Sequence, residues 1–468
     1  MLKGAALGVA PFHVRILRQA RENHRSMLTV FDLAALLLVL AALFSYFNKR
    51  YLGLPSNAGL LILALVTSLA LMGLSWAFPS LGFPATIRNT VAEIDFNETL
   101  MDGMLGFLLF AGALHVDWEA LKSRALSVGL MATFGVMIST AICGTGFYYL
   151  AQWVGLPIGF AWALVFGALI SPTDPVAVLA TLKNISGVPK RLEIDMAGES
   201  LFNDGVGVVV FAILVGVATG SSGEHLTASI ALEHFVVEAF GGAIFGGITG
   251  YLAYRMMLKI DDYPVEVLIS LALVMGTYAA AHQMGLSGPI AVVVAGLLIG
   301  DRGVTYAMSD LTQRYLHGFW TLIDDILNAV LFMLIGLELL VIDFSWQTGA
   351  LAAFAIPLVL TGRFFAVYLP FQIVRLREKF SRGIVAVLTW GGVRGGISVG
   401  LALSLPDGPQ RDLIVSATYA VVIFSVLVQG LTLERLVKRV VRPDGGDPSR
   451  EEVAAQRNEA SEAVTSGG

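Results

Sequence analysis

Long apolar runs alternate with short polar ones along most of this chain of 468 residues. A helix needs about 20 mostly apolar residues to cross the hydrocarbon core of a bilayer. The pattern therefore predicts thirteen spans, which form an all-α, polytopic transmembrane domain over residues 29–432. The predicted spans are 29–48, 57–78, 97–115, 126–150, 159–182, 197–218, 231–256, 264–283, 286–300, 317–341, 347–373, 383–405 and 412–432.

The two ends of the chain are more polar than this domain. Residues 1–28 form a basic segment. It is either an amphipathic piece at the membrane surface, or it is not native and Met27 is the natural start, because the first clear span directly follows Met27. We favour the second interpretation. Residues 433–468, where Gly, Ser and Glu are frequent, are expected to be a short, disordered cytoplasmic tail.

Composition supports a membrane protein. Hydrophobic residues make up 56% of the chain and charged residues 14%, whereas soluble proteins carry roughly 25% charged residues. A chain with so few charges cannot cover itself with a hydrated surface, so the lipid bilayer is its expected partner. The single cysteine excludes a disulfide framework. No basic patch of the kind that binds nucleic acid is present, so no nucleic-acid partner is expected.

Basic loop residues predict the orientation. Between the spans, Lys and Arg concentrate in alternate loops, as at Lys190 and Arg191, while the intervening loops hold only Arg88 and Arg411. Basic loops stay on the cytoplasmic side of a membrane. An odd number of spans with a cytoplasmic C-terminus accounts for this distribution, although the basic segment 1–28 would then lie outside.

The predicted helix 197–218 carries a polar stripe. Residues four apart share a helix face, so Ser200 lies above Asp204, and Glu199 lies above Asn203 on the neighbouring face. Charged side chains at membrane depth are costly and are therefore candidates for function. Small hard cations prefer oxygen ligands of these types. A hydrogen-bonded latch between helices is the alternative interpretation of the stripe.

The predicted helix 159–182 should break in its middle. Pro172 and Pro175 remove two backbone donors and clash with the preceding turn. Between them, Thr173 can offer a backbone carbonyl and a hydroxyl to a cation, and Asp174 is placed to cap the positive end of the second half-helix. A plain proline kink is the alternative.

A second break is predicted in the other half of the chain. Residues 390–398 place four glycines around Arg394, and glycine weakens a helix strongly. The Arg394 charge would suit the negative end of a half-helix. Paired interrupted helices indicate a transporter built from inverted repeats with its site at the membrane midplane. The repeats would be 29–218 and 264–432, linked by the helix 231–256.

Arg363 lies in the middle of the predicted span 347–373. Because arginine keeps its proton in proteins, it needs a carboxylate partner at this depth. We expect Glu199 to be that partner, which leaves Asp204 as the carboxylate that can exchange its ligand. A pairing of Arg363 with Asp204 would leave no exchange chemistry.

Three motifs together resemble the monovalent cation:proton antiporter-1 family, which contains the bacterial NhaP-type antiporters and the animal sodium/proton exchangers. They are Ser-Pro-Thr-Asp-Pro at 171–175, Gly-Glu-Ser-Leu-Phe-Asn-Asp-Gly at 198–205 and Gly-Gly-Val-Arg-Gly at 391–395. Their order and separation also fit the family, and the resemblance covers residues 29–432. It implies an NhaA-like antiporter fold with thirteen helices and crossed interrupted helices.

The resemblance also implies a function. The chain would be a homodimer in the plasma membrane, the inner membrane of a bacterium, that exchanges one Na⁺ or Li⁺ (K⁺ in some members) for one proton and serves pH homeostasis. Asp204 would bind the cation or the proton, with Ser200 and the Thr173 carbonyl as further ligands, and Asp174 and Asn203 would also belong to the substrate-binding site. Asn203 would mark the electroneutral branch. Glu199 and Arg363 would be a structural ion pair.

In the same resemblance, Asp174 and Arg394 would balance the charges of the crossed half-helices. One departure concerns the third predicted helix, where many members carry Phe-Glu-Gly and this chain has Phe-Ala-Gly at 110–112. Ala111 supplies no ligand, which leaves the full ligand set and the ion preference open.

Several functional classes compete with Na⁺/H⁺ exchange. A K⁺/H⁺ exchanger of the same fold is the main alternative, and a cation channel is a weaker one, because a channel should show a continuous polar stripe on several helices. An intramembrane enzyme would need a nucleophile–base set or metal-ligand spacing, and neither is evident. No cofactor is expected beyond the transported ions. The stripe of Gly242, Gly246 and Gly250 allows either a dimer contact or close packing within the chain.

Overall fold

A computed structural model of the chain describes residues 30–77, 104–174, 178, 179, 182, 185, 188–220, 228–340, 345–375 and 383–440. The predicted segment 1–28 and the tail from residue 441 onward lie outside these residues. The described part divides into two compact units. Residues 30–77 and 332–340 belong to the first, and the rest belongs to the second.

The first unit consists of two helices and the end of a third. Helix α1 spans Val30–Phe47 and continues as a π-helical segment to Leu52, and α2 spans Ser56–Ala77. Within this unit, the Ser68 hydroxyl donates a hydrogen bond of 2.9 Å to the carbonyl of Gly336. The small residue at position 336 lets the two helices approach closely, as is usual where helices pack in a membrane.

The second unit is also all-helical in its described residues. In chain order its helices are α3 (Leu105–Leu114), α4 (Trp118–Ser123), α5 (Ala125–Leu130), α6 (Val136–Val154), α7 (Phe160–Leu169), α8 (Lys190–Thr219), α9 (Ala228–Met257), α10 (Tyr263–Gln283), α11 (Gly288–Leu298), α12 (Asp310–Glu338, whose last residues lie in the first unit), α13 (Trp346–Arg375), α14 (Ile384–Trp390), α15 (Gly396–Leu403), α16 (Pro409–Phe424) and α17 (Leu431–Val440). π-Helical segments join α5 to α6, extend α11 and join α16 to α17.

The helices confirm the predicted class of a multi-pass membrane protein. Among the described residues, nine helices are long and apolar enough to cross a membrane, and three shorter apolar helices accompany them. Every predicted span overlaps a described helix. The count of thirteen stays a prediction, because several helices are too short to cross by themselves.

Two predicted boundaries were wrong. Helix α8 begins at Lys190 instead of residue 197, because the polar stretch before 197 is helical and partly buried. The segment predicted to be a disordered tail from 433 begins as helix α17, which continues to Val440. Leu433 and Val437, four residues apart on one face, are fully buried and hold this turn against the protein.

The glycine stripe of α9 packs within the chain. A methyl group at Gly242 would lie 2.6 Å from the carbonyl oxygen of Ser287, and one at Gly250 would lie 3.0 Å from the Cα of Ala295. Gly246 similarly contacts the backbone of Ala291. The stripe therefore allows α9 and α11 to meet backbone to backbone, and this resolves the choice between dimer contact and internal packing that the sequence left open.

Candidate functional site

Two interrupted helices meet at the centre of the second unit. Helix α7 ends at Leu169, and residues 171–174 follow without helical structure. Helix α14 ends at Trp390, and α15 begins at Gly396. The Asp174 backbone N–H donates a hydrogen bond of 2.7 Å to the carbonyl of Val393. The two breaks therefore lie directly against each other.

The charged side chain of each break lies at the end of a half-helix of the other break. Arg394 Nη1 donates hydrogen bonds to the carbonyl oxygens of Ser171 (2.6 Å) and Pro172 (2.9 Å) just beyond the end of α7. These carbonyls have lost their helical partners, and the negative end of α7 favours a cation. Arg394 itself is only 1% exposed. The arginine of one break thus caps the half-helix of the other.

Asp174 has the reciprocal position. A methyl group on Gly395, the residue before α15, would overlap the Asp174 carboxylate. The carboxylate therefore lies at the positive N-terminal end of α15, where an anion is favourable. The expectation that Asp174 caps the second half of its own helix stays a prediction, because residues 175–177 of that half lie outside the described residues.

The polar stripe of α8 faces the first break. The Ser200 hydroxyl donates a short hydrogen bond to the Thr173 carbonyl. The Asn203 amide donates to the Thr173 hydroxyl (2.9 Å) and accepts from the Thr173 backbone N–H (3.4 Å). All three side chains are buried. Asn203 and the Thr173 hydroxyl, both predicted to be available to a cation, are thus bonded to each other.

Asp204 lies one helical turn beyond Ser200 and is 6% exposed. Its carboxylate makes no hydrogen bond or ion pair with any side chain in the described part of the chain. Burying a bare carboxylate is costly. A group in this state therefore favours the uptake of either a proton or a small cation.

Arg363 binds Glu199, the pairing that the sequence suggested. Its Nη1 donates a short hydrogen bond to Oε1, and its Nη2 donates to Oε2 at 2.9 Å. Both side chains are almost completely buried. Arg363 also donates from Nε and Nη2 to the Leu388 carbonyl near the end of α14 (3.2 and 3.0 Å). One arginine thus ties α8 to the second break and stays away from Asp204.

The glycines around Arg394 are places of close contact. A side chain at 391 would overlap Met196, one at 392 would overlap Arg363, and one at 396 would overlap Leu331. The glycine-rich sequence therefore does more than weaken the helix. It lets three neighbouring helices reach the backbone of the break.

A second buried ion pair was missed in the sequence. Arg124 Nε and Nη2 donate to the two carboxylate oxygens of Asp195 at 2.9 and 2.7 Å. Asp195 precedes Glu199 by four residues and so shares its helix face. Arg124 lies between the predicted spans 97–115 and 126–150, where the hydrophobic pattern indicates only a basic loop residue. The spacing of Asp195 and Glu199 was the available signal.

These features define a class of protein. The chain is a multi-pass membrane protein in which two interrupted helices cross, exchange their compensating charges, and leave a buried carboxylate beside freed carbonyl groups. That combination is the architecture of a secondary transporter with its site near the midplane.

Comparisons with known proteins identify the family. The family model described as sodium/hydrogen exchanger, transmembrane, matches residues 36–439, so the chain belongs to this family. It is 49% identical over 417 residues to the Na⁺/H⁺ antiporter NhaP of Pseudomonas aeruginosa, covering 87% of this chain and 96% of that protein. It is 39% identical over 357 residues to the Na⁺/H⁺ antiporter NhaH of Halobacillus dabanensis, covering 75% and 85%.

A solved structure shows the same fold. The sodium proton antiporter MjNhaP1 of Methanocaldococcus jannaschii at pH 8 superimposes with a TM-score of 0.67 at 20% identity, covering 87% of this chain and 97% of that one. The predicted family and fold class are therefore confirmed.

Proposed function

We propose that this chain exchanges Na⁺, and alternatively Li⁺, for H⁺ across the membrane by alternating access. The observation that carries the proposal is the state of Asp204, which is buried and makes no ion pair in the described residues. The two nearby arginines are bound elsewhere, Arg363 to Glu199 and Arg394 to the carbonyls of the first break. Asp204 is thus left to bind the transported ion.

The oxygen atoms of the site suit a small monovalent cation. Ser200, Asp204 and the Thr173 carbonyl supply oxygen ligands of the kind that hard cations prefer. The Ser200 hydroxyl now donates to the Thr173 carbonyl. When a cation enters, this hydroxyl turns its lone pairs toward the ion, and the carbonyl exchanges a hydrogen bond for an ion contact. Asn203 holds Thr173 in place during this change.

Competition at one carboxylate couples the two fluxes. Asp204 binds a proton or a cation, and either one neutralises it. A neutral site crosses a low-dielectric region at far smaller cost than a charged one. If only the occupied site moves between the two faces of the membrane, each inward ion requires an outward one. Asn203 is uncharged, so one Na⁺ exchanges for one H⁺ and the cycle is electroneutral.

The moving part is expected to be the group of helices that carries the site. Helices α7, α8, α14 and α15 are joined by the bonds of Arg394, Asp174 and Arg363. Rigid movement of such a repeat core against the remaining helices is the usual route to alternating access.

The relatives described above are named Na⁺/H⁺ antiporters, which favours Na⁺ over K⁺ as the substrate. They also support a location in the inner membrane of a bacterium. The positive-inside distribution of the basic loop residues supports a cytoplasmic C-terminus. We include a homodimer in the proposal on the strength of the family resemblance.

Replacement of Asp204 by Asn tests the proposal. The variant keeps the shape of the side chain but removes the exchangeable charge, so we expect complete loss of exchange with the fold retained. The purified protein is placed in liposomes whose interior is more acidic than the medium. A pH dye inside the liposomes records the response when Na⁺, Li⁺ or K⁺ is added to the medium, between pH 6 and 9. Wild-type protein should respond to Na⁺ and Li⁺.

A matched control uses an acid outside the site. The Asp407 side chain is 96% exposed and pairs with Arg411, so Asp407→Asn should exchange like the wild type. Size-exclusion profiles and melting temperatures show that each variant is folded. Exchange at the wild-type rate in Asp204→Asn would disprove the role of this carboxylate, and a response of the wild type to K⁺ alone would favour the K⁺/H⁺ alternative.

A further inference from the structure

The segment that joins α16 to α17 contacts the second break through a buried glutamine side chain. Gln429 is 1% exposed. Its Nε2 donates a hydrogen bond of 2.9 Å to the carbonyl of Trp390, the last residue of α14. Its Oε1 accepts a bond of 2.7 Å from the Ser425 hydroxyl. Both ends of the amide are therefore bonded, which sets its orientation.

The carbonyl that Gln429 binds is one that the break has freed. In a continuous helix, the Trp390 carbonyl would accept from the N–H four residues later, at Arg394. Because α14 ends here, that partner is lost. An unpaired carbonyl at this depth is costly, and Gln429 supplies the missing donor.

A second bond fastens the same tryptophan. Trp390 Nε1 donates to the Thr432 hydroxyl at 3.0 Å. Thr432 follows Gln429 by three residues, so the two side chains lie on one helix face. The backbone of Trp390 is thus held by the segment that joins α16 to α17, and its indole is held by the first turn of α17.

That joining segment is π-helical over Ser425–Gly430. A π-helical turn contains an extra residue, which rotates the residues beyond it by about 100° relative to a regular helix. Such turns often occur at functional sites. Here the turn contains Gln429 and precedes Thr432.

The residues that follow Trp390 carry the contacts of the site. Val393 accepts from the backbone of Asp174, and Arg394 caps the end of α7. Two residues before Trp390, the Leu388 carbonyl accepts from Arg363, which holds Glu199 on α8. A shift of Trp390 would move both sets of contacts.

We propose that Gln429 is a positioning residue for ion exchange, which sets the cation affinity at Asp204 by holding the Trp390 carbonyl at the end of the interrupted helix. The inference rests on the proposed function. Gln429 lies outside the three motifs of the family resemblance, and its side-chain hydrogen bonds go to Ser425 and Trp390.

The test replaces Gln429 by Met, which has a similar volume and no donor. Loss of a bond to a buried carbonyl has an effect of the order of a tenfold change in an equilibrium constant. We expect the apparent KM for Na⁺ to rise about tenfold, with less than a twofold change in maximal rate. Because Na⁺ and H⁺ compete, a tenfold weaker affinity for Na⁺ should move the pH profile at fixed Na⁺ about one unit toward alkaline pH.

The matched control is Thr418→Val. The Thr418 hydroxyl is buried and donates to the Ile414 carbonyl within α16, so this change also removes a buried bond to a carbonyl, but one that lies within a single helix. Its KM for Na⁺ and its pH profile should match those of the wild type. A fall in melting temperature of Gln429→Met with unchanged KM and pH profile would mean that Gln429 only stabilises the fold, and would overturn the proposal.

A second variant decides the question if Gln429→Met does not fold. Ser425→Ala keeps the Gln429 donor but frees its other end, so we expect a smaller increase in KM for Na⁺, about two- to threefold. An unchanged KM in Ser425→Ala would then overturn the proposal. Wild-type protein is measured in parallel. Failure of the wild type to exchange Na⁺ for H⁺ would disprove the proposed function itself, a result distinct from a normal KM in the variants.

Discussion

Asn203 uses both polar atoms of its amide on a single neighbour. It donates to the Thr173 hydroxyl and accepts from the Thr173 backbone N–H. Its contribution to a cation site is therefore indirect, since it holds the residue whose carbonyl would be a ligand. An aspartate here could not donate to the hydroxyl and would add a second negative charge beside Asp204.

Arg363 and Glu199 form an ion pair that is costly to break. Taking both charges out of water offsets much of their attraction, so the intact pair adds little net stability. Removal of one partner is different, because it leaves the other charge buried and uncompensated, at a cost of about 3–5 kcal/mol. Arg363 also donates to Leu388, and that bond would be lost too.

We therefore predict that Arg363→Ala destabilises the protein far more than Asp204→Asn. The first change leaves Glu199 buried without its cation, which lowers the free energy of unfolding by about 3–5 kcal/mol. The second replaces a carboxylate that makes no ion pair in the described residues. Melting temperatures of the detergent-solubilised variants, measured by tryptophan fluorescence, should show the difference.

A double variant is the control for this prediction. Glu199→Gln combined with Arg363→Ala removes both charges, so it should melt at a higher temperature than Arg363→Ala alone. Equal melting temperatures for Arg363→Ala and Asp204→Asn would contradict a structural role for the ion pair.

At the scale of the helix, the described backbone of each break has defined hydrogen-bond partners. Among the described residues, the carbonyls of the second break at 388, 390 and 393 accept from Arg363, Gln429 and the backbone of Asp174. Arg394 binds the freed carbonyls of the first break. Irregular backbone at membrane depth is tolerated only when its polar groups find such partners or line a cavity.

Glycine at 392 should be irreplaceable for steric reasons. The Cβ of an alanine there would overlap the Arg363 side chain, which is held by Glu199 and Leu388 and cannot easily move. Gly392→Ala should therefore lower the melting temperature and reduce exchange by at least tenfold, with a cost of about 1–3 kcal/mol typical of overpacking. Both quantities are measurable on the purified protein.

The matched control is a glycine with free space around it. Gly276 lies inside α10, and no atom of the described residues outside its own stretch of helix lies within 4 Å of a methyl group added there. Gly276→Ala should keep full exchange and gain about 0.5–1 kcal/mol, because alanine favours a helix more than glycine does. Normal stability and exchange in Gly392→Ala would show that the break can rearrange around a side chain.

For the whole molecule, the proposal that Asp204 alone exchanges its ligand predicts that transport moves no net charge. Na⁺-driven exchange in liposomes should keep the same rate, within about twofold, when K⁺ and valinomycin impose an inside-negative potential worth roughly 2.3 kcal/mol per charge at 100 mV. The pH dye and the Na⁺ gradient stay as before. A rate that falls severalfold under this potential would indicate that two protons leave for each Na⁺ that enters, because that exchange carries one net positive charge outward.

Much of the fold could be predicted because it depends on local properties. Apolar length identifies a span, and prolines or clustered glycines identify a break within it. Prolines and glycines located the breaks at Asp174 and Arg394. The spacing of polar residues four apart located the polar stripe of α8. The start of α8 and the helical beginning of the predicted tail were missed, because Asp195 near the start of α8 and Leu433 and Val437 in α17 are buried by partners that the local pattern does not show.

The sequence by itself determined that this is a membrane protein with two interrupted helices and a buried acid at Asp204. The cost of dehydrating charges and backbone groups follows from residue type alone. Only the tertiary structure decided the partners, such as Arg394 on the Pro172 carbonyl 222 residues away, Asp174 beside Gly395, and Gln429 on Trp390. Contacts between distant residues depend on how the helices pack, and no local pattern specifies that.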